Sequence, residues 1–132
     1  MKYLVDTNII IDYLRGKLRL NEKLVKAGMG LSIITLGELY VGANKSSSLE
    51  RGLKEIGELL AGLKIEVINL SPDSIYEYGK LRAALEQKGA RIDNFDLLIA
   101  STALANHLAL VTKNKKHFDR VKGLKIKEFI NP

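Results

Sequence analysis

YLVDTNIIIDYL, from Tyr3 to Leu14, is the stretch that decides the fold. A short apolar run at 3–5 ends abruptly in Asp6-Thr7-Asn8, after which apolar residues resume. This pattern is typical of a buried strand that leads directly into a helix. Asp6 lies at the junction, where a carboxylate either caps the helix or contributes to a site built from distant parts of the chain.

The same alternation of strand and helix continues along the chain. The pattern predicts strands at Lys2–Val5, Leu31–Ile34, Ile65–Leu70, Ala109–Thr112 and Lys125–Phe129. It predicts helices at Asn8–Arg15, Asn21–Ala27, Leu36–Asn44, Leu49–Leu63, Asp73–Gln87 and Phe95–Asn106. Short apolar strands that alternate with helices indicate an α/β fold, with a parallel sheet covered on both faces. We expect a single domain over residues 1–132.

Composition narrows the class of protein. Hydrophobic residues make up 46% of the 132 positions, which is enough for a packed core. The chain has no cysteine, which excludes disulfides and thiol chemistry and fits a cytoplasmic protein. We see no signal peptide and no apolar run near the ~20 residues that span a bilayer, so we expect no membrane association.

The charge is +6, with 21 Lys and Arg against 15 Asp and Glu, and the excess is concentrated near the C-terminus. Between 113 and 127 the only acidic residue is Asp119, whereas seven residues are Lys or Arg. Such a basic surface attracts polyanions, of which nucleic acid is the commonest. A lysine-rich solvated surface is the plainer interpretation of the same residues.

Four oxygen-bearing side chains fall where parallel strands end or where helices begin. Asp6 follows the first strand, and Asn114 follows the strand Ala109–Thr112. Glu38 and Asp96 each fall in the predicted first turn of a helix. Because strand ends and helix starts meet at one edge of such a sheet, we expect all four to lie close together.

Capping explains each of these residues taken alone. Thr35-x-x-Glu38 matches a capping box, Asp93-x-x-Asp96 resembles one, and Asp6 or Thr7 is suited to cap the first helix. Three carboxylates at one edge, however, repel one another, and a cation is the natural remedy. Oxygen ligands without cysteine favour Mg²⁺ or Mn²⁺, which suit hydrolysis of a phosphodiester by a metal-activated water.

With these residues in place, the sequence resembles the PIN-domain family of metal-dependent ribonucleases, and within it the VapC-type toxins of toxin–antitoxin pairs. The resemblance is carried by YLVDTNIIIDYL, by LSIITLGELYVGANKS (31–46), by IDNFDLLIASTALANHLALVTKNKKHF (92–118) and by the closing GLKIKEFINP (123–132). It implies a three-layer α/β/α sandwich, an endoribonuclease that uses Mg²⁺ or Mn²⁺, a homodimer, and a VapB-type antitoxin that covers the acidic groove. It also implies that Asp6, Glu38 and Asp96 are metal ligands. The family's fourth position, Asp or Asn, falls on Asn114, which lowers the local charge and leaves the number of metal ions open.

Further residues near these four are candidates for supporting roles. Thr7, Asn8, Asp93 and Thr112 are candidates for indirect contacts with the metal, although Asp93 is also well placed as a helix cap and Thr7 and Asn8 suit local backbone capping. Lys113, Lys115 and Lys116 flank Asn114, where they would contact RNA phosphates rather than read bases. Neither His107 nor His117 has a partner at metal-ligand spacing, so we expect no metal role for them.

Two other functions remain open at this point. A receiver-type phosphorylation module also places an acidic Mg²⁺ pocket on a parallel sheet, but it needs an Asp after the third strand, and Ile65–Leu70 has no carboxylate at its exit. A non-catalytic RNA-binding domain of the same fold is compatible with Asn114. RNA cleavage that requires a divalent metal would separate the nuclease from both.

Overall fold

The computed structural model describes residues 1–129, which form a parallel sheet packed between two layers of helices. The strands are β1 (Tyr3–Val5), β2 (Met29–Ser32), β3 (Glu66–Ile68), β4 (Ala109–Thr112) and β5 (Ile126–Glu128). The helices are α1 (Thr7–Leu14), α2 (Glu22–Ala27), α3 (Ile33–Lys45), α4 (Leu49–Gly62), α5 (Pro72–Gln87), α6 (Asn94–Ala105) and α7 (Lys115–Phe118). The strand order is β3-β2-β1-β4-β5, and every pair is parallel. The predicted α/β/α sandwich with five strands is confirmed.

Successive residues of the central strands point to opposite layers, as the pleat of a strand requires. Leu4 of β1 and Leu110 of β4 pack with α5, α6 and α7 on one face. Val5 and Val111, their neighbours in sequence, pack with α1, α2, α3 and α4 on the other face. All four side chains are fully buried, which explains why these strands are apolar without alternation.

The strand order reverses between β1 and β4. From β1 the chain adds β2 and β3 on one side, and it then returns to place β4 on the other side of β1. In open α/β sheets the crevice at the carboxyl ends of such a pair is where ligands bind. Asp6 follows β1 and Asn114 lies two residues beyond β4, so both residues lie at this position.

The boundary between β2 and α3 differs from the prediction. The apolar run Leu31–Ile34 predicts a strand, but the strand ends at Ser32 and α3 already begins at Ile33. The Ser32 hydroxyl accepts a hydrogen bond from the backbone N–H of Ile34 at 3.0 Å and caps the helix there. Glu38 therefore lies in the second turn of α3, and Thr35-x-x-Glu38 is not a capping box.

Two smaller features complete the fold around the site. The four-residue helix α7 was not predicted, because one turn is too short to show a helical period. The closing segment 123–132 supplies β5, and its last three residues lie outside the described part of the chain. Within residues 1–129, every helix falls short of the length and apolar character needed to cross a bilayer.

Candidate active site

Asp6 is both the cap of α1 and the most buried carboxylate of the site. The residue is only 5% exposed. Oδ1 accepts a hydrogen bond from the backbone N–H of Thr7 at 2.8 Å, and Oδ2 accepts one from the Thr112 hydroxyl at 2.8 Å. The backbone N–H of Asp6 donates to the carbonyl of Val111 at 2.9 Å, which ties the end of β1 to β4. The capping interpretation of Asp6 is therefore confirmed, and its role as a metal ligand stays a prediction.

Burial raises the pKa of Asp6 above its usual value. The negative charges of Asp96 and Glu38 raise it further, whereas the hydrogen bonds from Thr112 and Thr7 oppose the shift. Glu38 and Asp96 therefore each lie close enough to Asp6 for their charges to act on it. No Lys, Arg or His of residues 1–129 is among the groups that shift this pKa.

Glu38 reaches the site from α3 and is held there by two threonines. The Thr7 hydroxyl donates to Oε1 of Glu38 at 2.7 Å and lies 2.9 Å from the Thr35 hydroxyl. Because Thr7 has one hydroxyl proton and gives it to the carboxylate, Thr35 must be the donor to Thr7. Thr35 is fully buried, so this chain of hydrogen bonds is shielded from water.

Asp96 reaches the site from the first turn of α6. Its Oδ2 lies 3.2 Å from Nε2 of His117 on α7. The Phe118 side chain is 1% exposed and anchors α7 in the core beside this contact. Sequence reasoning missed His117, since 21 positions separate it from Asp96 and its only signal is that it follows Asn114 by three residues.

Thr112 connects Asp6 to the predicted fourth position. Its hydroxyl donates to Asp6 and accepts the backbone N–H of Asn114 at 3.0 Å. Asn114 is the N-cap residue of α7, yet its side chain makes no capping hydrogen bond. The side chain is exposed, which leaves its amide available at the site edge.

The remaining candidates divide between local and site contacts. Asp93 caps α6 by accepting the backbone N–H of Phe95 at 3.1 Å, as the capping interpretation expected. Asn8 is exposed and makes no hydrogen bond with Asp6 in the part of the chain described, whereas Thr7 contacts both carboxylates. Thr35, which sequence reasoning treated only as a cap, belongs to the hydrogen-bonded network.

The three lysines beside Asn114 differ in their surroundings. Lys113 forms an ion pair with Asp12 at 2.7 Å, and this hydrogen bond and charge hold the pKa of Asp12 below its usual value. Lys115 lies 3.3 Å from Asp119. Lys116 is exposed and makes no hydrogen bond or ion pair within residues 1–129. Exposed ion pairs are weak, so all three lysines stay candidates for phosphate contact.

The donor chemistry of the site fits a hard divalent cation. The three carboxylates and the amide all offer oxygen ligands. Burial, and after it repulsion from Asp96 and Glu38, raises the pKa of Asp6, and a bound cation would relieve that repulsion. As placed in residues 1–129, no three His, Asp or Glu side chains are gathered tightly enough to hold an ion.

Comparison with known proteins identifies the family of this chain. The model of the PIN domain matches residues 3–124, so the chain belongs to the PIN-domain family. Ribonuclease VapC2 of Rickettsia felis is 38% identical over 94% of this chain and 95% of its own length. The tRNA(fMet)-specific endonuclease VapC of Salmonella typhimurium is 32% identical over 98% of each chain.

Solved structures give the same result. The structure of VapBC2 from Rickettsia felis bound to a promoter DNA fragment matches with a TM-score of 0.88 and 35% identity, over 98% of this chain and 100% of the matched one. That of DNA-bound VapBC from Salmonella typhimurium matches with a TM-score of 0.87 and 31% identity, over 97% and 98%. The predicted resemblance to the VapC group is confirmed.

Proposed function

We propose that this protein is a divalent-metal-dependent endoribonuclease and the toxin of a toxin–antitoxin pair. The observation that supports the proposal is that Asp6 follows β1, where the strand order reverses, and that Glu38 and Asp96, on two different helices, are close enough for their charges to act on it. Two VapC relatives, one named a ribonuclease at 38% identity and one named a tRNA(fMet)-specific endonuclease at 32% identity, each matched over nearly the whole chain, support the same activity.

Asp6, Glu38 and Asp96 would hold Mg²⁺ or Mn²⁺, with Asn114 as a neutral fourth ligand or a contact to water. When bound, such an ion lowers the pKa of a water molecule and offsets the charge that develops on a phosphodiester. Thr112 and Thr7 keep the carboxylate of Asp6 in place through two 2.8 Å hydrogen bonds. The Thr7 hydroxyl also fixes Glu38, so one residue positions two ligands.

RNA would approach over the basic surface that flanks Asn114. Lys113, Lys115 and Lys116 lie at that edge, and contacts with the phosphate backbone position a strand without reading its sequence. Of the three, Lys116 has no partner of its own within residues 1–129, so we expect it to contribute most.

The proposal includes a cytoplasmic location, a homodimer and a VapB-type antitoxin that covers the acidic groove. Solved relatives are complexes named VapBC, one bound to a promoter DNA fragment and another bound to DNA, which supports an antitoxin partner for this chain. The cysteine-free sequence fits a reducing compartment. We also propose that residues 1–132 act as a single domain.

The decisive experiment measures RNA cleavage by the wild type and by Asp6→Asn, with Mg²⁺, with Mn²⁺ and with a chelator. We expect cleavage only with metal, and a large loss in Asp6→Asn because the variant lacks the most buried carboxylate. Lys2→Ala, at the opposite edge of the sheet, is the matched surface control and should cleave normally. Cleavage in chelator, or full activity of Asp6→Asn, would reject the nuclease mechanism, whereas metal-dependent RNA binding without turnover would favour the non-catalytic alternative.

A further inference from the structure

His117 on α7 contacts the candidate metal ligand Asp96, and the function proposed above gives this contact no role. His117 is half-buried on α7, and both of its ring nitrogens have partners. Nε2 lies 3.2 Å from Oδ2 of Asp96, and Nδ1 lies 3.0 Å from Nη2 of Arg120. Arg120 also donates from Nε to the backbone carbonyl of His117 at 3.2 Å, so its guanidinium holds the residue at two points.

These partners determine which ring nitrogen of His117 carries the proton. A guanidinium has only donors, so the N–H of Arg120 must be accepted by an unprotonated Nδ1. The ring proton of neutral His117 is then on Nε2, where it is donated to the carboxylate of Asp96. Turning the ring over would place carbon atoms at both contacts, so the two partners together also fix the ring orientation.

The hydrogen bond from His117 engages only one of the two carboxylate oxygens of Asp96. Oδ2 accepts the proton from His117, whereas Oδ1 makes no hydrogen bond within residues 1–129. An oriented carboxylate with one oxygen occupied presents the other in a defined direction. The core contact of Phe118, whose ring meets the His117 ring edge-on at 5.1 Å, keeps α7 and therefore the imidazole in place.

We propose that His117 is a positioning residue of the active site, held by Arg120 in the tautomer that carries its proton on Nε2, and that it aims Oδ1 of Asp96 at the divalent cation. The role rests on the proposed metal-dependent nuclease function. His117 itself is not a ligand, because Nε2 carries a proton and Nδ1 is occupied by Arg120. The arrangement links the basic helix α7 directly to the acidic cluster.

The first test measures Mn²⁺ binding by the metal-free protein, by electron paramagnetic resonance titration. Removing a hydrogen bond that orients a metal ligand typically costs about 10–100-fold in affinity, which is the loss we expect for His117→Ala. His117→Gln keeps a donor near the position of Nε2 and should recover part of the affinity. His107→Ala, an exposed histidine away from the cluster, is the matched control and should bind Mn²⁺ like the wild type.

The second test reads the tautomer directly, from the ¹⁵N shifts of the His117 ring in a long-range ¹H–¹⁵N spectrum of the metal-free protein. We expect the pattern of a protonated Nε2 and a bare Nδ1, and Arg120→Ala should mix the two tautomers. RNA cleavage by His117→Ala should also recover as Mn²⁺ is raised, which loss of a catalytic group would not allow.

The outcomes separate this inference from the nuclease proposal. Absence of Mn²⁺ binding by the wild type would overturn both. Wild-type binding with unchanged affinity in His117→Ala, or a protonated Nδ1 in the spectrum, would overturn the role of His117 and leave the metal site standing.

Discussion

Replacing Thr7 with Val tests whether the hydroxyl chain Thr35–Thr7–Glu38 stabilises the fold and aligns the site. Valine has nearly the shape of threonine, so packing is kept while the hydroxyl is lost. The change removes the 2.7 Å hydrogen bond to Glu38 and leaves the buried hydroxyl of Thr35 without its acceptor. Both losses fall on groups that the sequence alone does not connect.

The magnitude follows from these two losses. A hydrogen bond to a charged group is worth about 1.5–3 kcal/mol, and we take the low end because Glu38 is partly exposed and water replaces some of it. An unsatisfied buried hydroxyl costs about 1–3 kcal/mol. We therefore expect Thr7→Val to lower the free energy of unfolding by roughly 2–4 kcal/mol.

A double-mutant cycle identifies the cause. In Thr7→Val/Thr35→Val no hydroxyl is left stranded, so the double variant should be more stable than the sum of the single changes predicts, by about 1–2 kcal/mol. Urea denaturation of all four proteins gives the required free energies. Thr102→Val is the matched control, because this buried hydroxyl bonds only to the carbonyl of Leu98 in its own helix. A cost below about 0.5 kcal/mol for Thr7→Val, or strict additivity in the cycle, would refute the argument.

Three further predictions concern charge and backbone conformation. Folding raises the pKa of Asp6 above its ordinary value of 3.8, so the folded protein binds more protons than the unfolded chain between pH 3.8 and the raised pKa. Metal-free wild type should therefore lose stability relative to Asp6→Asn as the pH rises through that window. Urea midpoints of both proteins from pH 4 to pH 7 measure this, and a difference that moves the other way would contradict it. Lys116→Ala should weaken RNA binding and reduce the slope of log K against log salt by about 0.7–1, as read from titrations at several salt concentrations, whereas Lys2→Ala should not. His107 has φ 56°, a left-handed conformation that favours glycine, so His107→Gly should raise the unfolding free energy by about 0.5–1 kcal/mol in thermal melts without altering cleavage.

Much of the fold was predictable, as was the proximity of the candidate residues Glu38 and Asp96 to Asp6, because strand ends in a parallel sheet meet at one edge whatever the details of each helix. Ala109–Thr112 was predicted with the residues that the structure shows, since its apolar run ends sharply at Lys113. The predicted start of α3 was wrong because the Ser32 hydroxyl caps the helix inside an apolar run, and hydrophobic periodicity does not reveal such a local hydrogen bond.

The site residues that sequence reasoning missed depend on three-dimensional packing. Thr35 meets Thr7 across 28 positions, and His117 meets Asp96 across 21 positions. Neither sequence separation corresponds to a recognisable motif, because each contact joins two elements whose relative position depends on how they pack in the core. By contrast, Asp93 was foreseen as a cap since that interaction is confined to adjacent residues.

The three carboxylates lie on different layers of the sandwich: Glu38 on α3 in one helical layer, Asp96 on α6 in the other, and Asp6 at the end of β1 in the sheet between them. The distances among their carboxylate oxygens therefore depend on how closely each helical layer packs against the sheet. A molecule that displaced either layer would be expected to inhibit the enzyme without contacting any of the three carboxylates.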